Sequence, residues 1–351
     1  MHMADALMSP AVGGAMWAAT AATTAYCAKK VREEVDESKI PLMGVAGAFI
    51  FAAQMLNFTI PGTGSSGHLG GGLILAVLLG PEAAFLVMAS VLGVQALFFA
   101  DGGLLALGAN IFNLGFIPAF IAYPLIYKKI VGQNPSTRRI VTGSLLGALV
   151  GLQLGALGVV VETTLSGVSE LPLVTFMGMM LPIHLAIGIV EGLVTAAVVV
   201  FVYKAQPEIL TRTAQRTSLR GVNTRTVIIG LLVAAVVSGG AFAWFASANP
   251  DGLEWSIAKV TGAEEVESSA GLHEDLAEVQ ERTAFLPDYA FPAPEEADEG
   301  AEEGAAWPAV DPGTSTSGLV GGALVLGVAV LTGFALKRRS ASKAAQAASH
   351  T

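Results

Sequence analysis

The chain opens with Met1-His2, and a loop histidine, His68, sits in Pro61-Gly62-Thr63-Gly64-Ser65-Ser66-Gly67-His68-Leu69-Gly70. A free amino terminus followed by histidine is a chelator. It offers the α-amino nitrogen of Met1, the backbone nitrogen of His2 and the His2 imidazole. The first two close a five-membered ring on a metal, the last two a six-membered ring. A fourth nitrogen from His68 would complete a planar set. A deprotonated backbone amide is a strong-field donor, accessible near neutral pH mainly to Ni(II) and Cu(II), which also favour planar nitrogen sets. Glycines around His68 would let the loop turn sharply and approach the terminus. The plain alternatives are that His2 is an arbitrary second residue and that His68 is bonded to a loop carbonyl.

Such a site needs elements that bring residue 2 and residue 68 together. Composition says what those elements are. Hydrophobic residues make up 53% of the chain and charged residues 13%, about half the charged share of a soluble domain, roughly 25%. This is a multi-pass membrane protein by composition. Apolar spans are expected at 11–28, 42–59, 82–99, 103–127, 140–161, 174–203, 224–247 and 318–336. A shorter piece, 69–79, is too short to span and is expected to be buried, starting from a loop that dips into the bundle. Pro118, Pro124 and Pro182 predict kinks. The single cysteine, Cys27, excludes an internal disulfide and reads as a small helix-packing residue.

The basic residues orient this bundle. Lys29, Lys30, Arg32 and Lys39 lie in one connection, Lys128, Lys129, Arg138 and Arg139 in another, and Lys204, Arg212, Arg216, Arg220 and Arg225 in a third; Lys337, Arg338, Arg339 and Lys343 follow the last span. Alternate connections therefore hold nearly all the Lys and Arg, which places them in the cytoplasm. The N-terminus is then extracytoplasmic, the C-terminus cytoplasmic, and nine segments are inserted. Met1-His2 and His68 fall on the same outer side. The first apolar run has no preceding Lys or Arg, so it reads as a retained helix, not a cleaved signal.

Polar residues elsewhere have plainer readings. His184 and Glu191 are seven apart on one helix, and Asn110 and Asn113 three apart on another. Helix-to-helix hydrogen bonds are expected of them. With Ser66, these four are also candidates for orienting the metal ligands. Asp101 and Glu162 are expected to be solvated at outer helix ends. The 249–317 stretch holds seventeen Asp and Glu against Lys259 and Arg282. It reads as a solvated, partly disordered loop, with local cation enrichment as the functional alternative. His273 reads as a solvated loop residue. There is no P-loop, no His-Glu-x-x-His, and nothing that suggests a nucleic-acid site.

Four separated motifs carry a family resemblance. They are Met1-His2-Met3-Ala4-Asp5-Ala6-Leu7-Met8-Ser9-Pro10, Gly67-His68-Leu69-Gly70-Gly71-Gly72, Gly102-Gly103-Leu104-Leu105-Ala106-Leu107-Gly108-Ala109-Asn110 and His184-Leu185-Ala186-Ile187-Gly188-Ile189-Val190-Glu191-Gly192. In this order they resemble the CbiM/NikM substrate-binding subunits of energy-coupling-factor (ECF) transporters for cobalt and nickel, over roughly residues 1–205. Pro250-Asp251-Gly252-Leu253-Glu254, Leu286-Pro287-Asp288-Tyr289 and the last helix resemble the NikN-type partner, so the whole resembles a NikMN fusion. The resemblance implies a metal held at Met1, His2 and His68. It implies two kinds of partner, a transmembrane coupling subunit (T component) and cytoplasmic ATPase subunits. It also suggests that the ladder Ala11, Ala15, Ala18, Ala22 and Ala25 docks on the coupling subunit; the alternative is packing within the bundle.

The expectation is an all-α polytopic membrane bundle of about seven helices (1–205). A cytoplasmic linker (206–223), a two-helix module (224–340) with an acidic extracytoplasmic loop (249–317) and a cytoplasmic tail (341–351) follow. The expected function is capture of Ni(II), or of Co(II), for ATP-driven uptake, with no catalysis and no cofactor. The rivals are an ion-coupled secondary transporter using His184 and Glu191, and a metal-binding sensor module.

Overall fold

The structure is a computed structural model. It describes residues 2–34, 37–264, 266, 271–291 and 307–349, with side chains to Glu33 in the first helix and to Lys337 in the last. Met1 and the acidic residues Glu265, Glu267, Glu295, Glu296, Asp298, Glu299, Glu302 and Glu303 lie outside the described residues.

The fold is all-α. Among the described residues, five helices are long and apolar enough to cross a bilayer: α4 (Pro81–Phe99), α5 (Leu107–Val131), α6 (Thr137–Ser166), α7 (Leu173–Ala205) and α12 (Pro312–Ser349), of which Pro312–Lys337 is the apolar part. The other four of the nine expected segments are helices too, shorter or less apolar. α1 (Pro10–Glu34) is long but carries many small and polar residues, α2 (Ile40–Gln54) has 15 residues, and α9 (Arg225–Gly240) has 16. α5 contains Pro118 and Pro124 within a π-helical stretch, Phe112–Tyr127. Its wider turns absorb the prolines that would break an α-helix.

The short apolar piece is α3 (Gly72–Leu79), buried along its whole length. Gly71, at φ 77, turns the chain into it from a loop lying inside the bundle. That backbone is satisfied from α7: Glu191 accepts hydrogen bonds from Gly70 N (3.0 Å) and Gly71 N (3.1 Å). Irregular backbone at this depth needs such a partner, because no water is available. Ahead of the loop, β1 (Phe58–Ile60) and β2 (Ser65–Gly67) form a small antiparallel hairpin with Thr59 opposite Ser66.

The C-terminal module is packed into the bundle. α9 and α12 both lie against α2, leaving its residues buried on all sides. That is why α2 is apolar around its whole circumference. The linker is not featureless either. It forms α8 (Pro207–Ala214), whose end is tied to α3 by Thr213 Oγ1 donating to Leu78 O (3.1 Å).

The connections gather at two opposite ends. At one end lie the N-terminal segment, the hairpin, the 100–103 turn and the 247–291 stretch, joined by Gly103 N to Met3 O (2.9 Å), Ser247 N to Asn57 O (2.7 Å) and Leu286 N to Phe98 O (3.4 Å). At the other lie the basic connections. There Arg216 pairs with Glu82 (2.8 Å) and Lys39 donates to Leu79 O (3.2 Å).

The acidic stretch is corrected in its described parts. It forms α10 (Gly252–Thr261) and α11 (Leu272–Thr283), and it lies on the bundle. His273 is not solvated: it is buried, with Nε2 2.9 Å from Met8 O. Gln280 Nε2 donates to Ala96 O (3.0 Å) and Gly102 O (2.9 Å). These bonds satisfy one carbonyl near the end of α4 and one in the turn after it, and tie α11 to the bundle.

Candidate metal site

The N-terminal segment lies against the 103–110 stretch that leads into α5. Asn110 holds it by two bonds, accepting from Met3 N at 2.9 Å and donating to Met3 O at 3.2 Å. Asp5 Oδ1 accepts from Ala106 N (2.9 Å), pinning the segment a second time. Two anchored points leave the first residues little freedom. His2 projects into the end of the bundle beside His68.

The two imidazoles stack. Their centroids are 5.1 Å apart and their planes 13° from parallel. Both side chains are nearly buried, 8% and 9% exposed. Burial pushes the His2 imidazole down to about pKa 4, against the opposing pull of Asp101. It is therefore neutral at pH 7, the form a metal needs. His2 Nε2 is buried without a hydrogen-bond partner, and Nδ1 lies 3.2 Å from Asp101 Oδ1. His68 Nδ1 lies 3.1 Å from the Leu69 carbonyl. That contact turns His68 Nε2 away from the Leu69 carbonyl and toward Asp251.

Two carboxylates that sequence reasoning did not assign to the site flank the pair. Asp101, expected to be solvated, is half-buried. It faces His2 and accepts a hydrogen bond from Tyr289 Oη. Asp251 Oδ2 lies 3.6 Å from His68 Nε2. Asp251 stood in the sequence only as part of a resemblance motif. Its spatial role depends on a contact across some 180 residues, so no local signal could reveal it.

The candidate orienting residues separate. Asn110 holds the N-terminal segment, and Glu191 holds the loop just after His68. Ser66 Oγ donates to Asn249 O (2.8 Å), tying β2 to the segment that carries Asp251. His184 Nδ1 is 2.8 Å from Met180 O, within its own helix. Asn113 Nδ2 donates to Glu162 Oε2 at 2.8 Å, joining α5 to α6. Glu162 is thus buried and bonded, not solvated as expected. Among the described residues, no group of three or more His, Cys, Asp or Glu side chains is arranged to hold a metal.

The comparisons with known proteins agree on metal transport. Residues 2–209 match the CbiM family, described as the cobalt uptake substrate-specific transmembrane region, and residues 225–338 match the PDGLE domain. A protein of Archaeoglobus fulgidus named as a fused nickel transport protein NikMN is 31% identical over 340 residues, covering 96% of this chain and 98% of that one. A cobalt transport protein CbiM of Sorangium cellulosum is 30% identical over 223 residues, covering 60% of this chain and 95% of that one. A solved structure titled as a transition metal transporter superposes with TM-score 0.53 at 33% identity, over 63% of this chain and all of that one.

Proposed function

Because the chain belongs to the CbiM family, with a PDGLE domain behind it in one polypeptide, we propose that it is the substrate-capture component of an ATP-driven nickel uptake transporter. Cobalt is the second choice of cargo. The ion is held in a plane by four nitrogens: the Met1 amine, the His2 amide, the His2 imidazole and His68 Nε2. The observation that carries this reading is the stacking of two buried imidazoles at 5.1 Å, one of them on the second residue of the chain. Metal–imidazole bonds are about 2.0–2.1 Å long, so rings at this separation can share one ion.

The chelate closes through His2 Nδ1, the nitrogen that faces Asp101 in this structure. Loading exchanges that carboxylate contact for the ion. The clasp by Asn110 and Asp5 supports the site by preorganisation, since a terminus fixed before binding loses less freedom when the ion arrives.

The alternation of basic connections supports an extracytoplasmic amino terminus and metal site and a cytoplasmic carboxyl terminus in the cell membrane. Energy comes from separate ATPase subunits acting through a T component. The exposed face of α1, where Ala11, Ala15, Ala18, Ala22 and Ala25 are all uncovered, suits close helix contact with such a partner, and the rest of the rim contacts lipid. The secondary-transporter reading is weaker. Both Glu191 oxygens already hold loop amides, which is a structural task.

The test is metal analysis of full-length protein purified with a tag at the C-terminus only. One nickel per chain is expected, with cobalt bound more weakly. A metal-free preparation that takes up neither ion would overturn the reading.

A further inference from the structure

The Asn249-Pro250-Asp251-Gly252 turn is bound to the His68 loop. Ser66 N donates to Pro250 O at 2.8 Å, and Ser66 Oγ donates to Asn249 O. Gly252 permits the approach: a Cβ there would lie 2.9 Å from Ile187 and 3.0 Å from the His184 ring. The turn then becomes the start of α10, with Asp251 as its N-cap. Asp251 Oδ1 accepts from Leu253 N (2.7 Å) and Glu254 N (3.0 Å), and Glu254 Oε2 accepts from Asp251 N (2.8 Å). This box fixes the carboxylate plane and directs Oδ2 at His68 Nε2, 3.6 Å away.

The carboxylate therefore stands against the ring nitrogen of His68 that faces away from the Leu69 carbonyl. A divalent ion bound by one deprotonated amide and three neutral nitrogens keeps a net charge of +1. Buried, that charge needs a counter-charge.

We propose that Asp251 is a positioning residue of the metal site, supplied by the C-terminal module. Its carboxylate balances the charge of the loaded site and holds the His68 side closed, so retention of the ion depends on the fused segment. This rests on the four-nitrogen reading above.

Asp251→Asn separates the charge from the cap, because Asn is an equally good N-cap. Loss of a residue that orients a metal ligand typically weakens metal binding about 10–100-fold. We expect that loss in Ni(II) affinity for full-length D251N, measured by calorimetry. Release to a chelator should be faster, and the thermal unfolding midpoint of the metal-free protein unchanged. The nickel d–d band should stay in place, because the four nitrogens are untouched. Asp251→Ser, which caps α10 but is too short to reach His68, should behave the same way. His68→Ala in the same assays tests the underlying site. If H68A loses binding while D251N stays within twofold of the parent, the role of Asp251 is overturned and the site stands. If H68A also binds fully, the four-nitrogen reading fails. A shifted band in D251N would make Asp251 a ligand and overturn the positioning role.

Discussion

Asn110, on α5, holds both backbone groups of Met3 at once, its Oδ1 on the amide and its Nδ2 on the carbonyl. A side-chain amide matched to a peptide unit in this way acts as a clip. It fixes position and direction together, one residue from His2. Asn110→Ala should leave the fold intact and weaken nickel binding about tenfold or more, a loss of about 1.4 kcal/mol or more. Two hydrogen bonds of about 1 kcal/mol each are at stake. Asn110→Asp, which keeps only the acceptor for Met3 N, should recover part of the loss. Calorimetric titration of the three proteins decides it, and an unchanged affinity in N110A would separate the clip from the metal.

Glu191 supports the other half of the site. Glu191→Ala leaves the Gly70 and Gly71 amides without their acceptor in a dry interior. Each unsatisfied donor costs about 1–3 kcal/mol, so the unfolding midpoint in detergent should fall. His68 should bind metal less tightly, because the loop that carries it has lost its anchor. Glu191→Gln keeps one acceptor oxygen and should be milder in both measurements. Nickel uptake retained in vesicles lacking any ATPase, and lost in E191Q, would instead favour the secondary transporter.

The spectrum should report the donor set. Four nitrogens in a plane, one a deprotonated amide, make Ni(II) low-spin and diamagnetic. Sharp, unshifted NMR lines and a yellow d–d band are expected. A paramagnetic octahedral signal would mean oxygen ligands, and the carboxylates Asp101 and Asp251 would be the first to test.

The amino group at the front of the chain should be indispensable. Acetylation of the Met1 α-amine, with a reference pKa of about 7.7–8.0, turns it into an amide and removes the terminal donor without supplying a new one. Nickel affinity should collapse, while a tag after Thr351 should be harmless. Equal affinity in the matched pair would remove the amino-terminal chelate.

Removal of 292–306 should leave nickel binding unchanged, because none of the proposed donors lies in that run, while the loss of its acidic residues should slow uptake at low nickel. A loss of binding stoichiometry in the calorimeter would place ligands in that run.

The class of this protein, and much of its layout, lie in local composition. A run of apolar residues reports its own burial, so α4 to α7, the buried α3 and the apolar part of α12 are visible one window at a time. The alternation of basic and non-basic connections is equally local, and it foreshadows the two ends at which the loops collect. The identities of His2 and His68 also suggest their chemistry, because a histidine after a terminal amine is a chelator in any context. Partnership is different. That Asp101 faces His2, that Asp251 faces His68, and that His273 caps a carbonyl of Met8 depend on contacts between residues about 100, 180 and 265 apart. Asp101 and Glu162 looked solvated because a carboxylate at a helix end usually is. The tertiary fold covers Glu162 fully and Asp101 in part, with Asn113 and Tyr289 within hydrogen-bond reach. A sequence states which groups a chain owns; which of them share a buried volume is decided by packing.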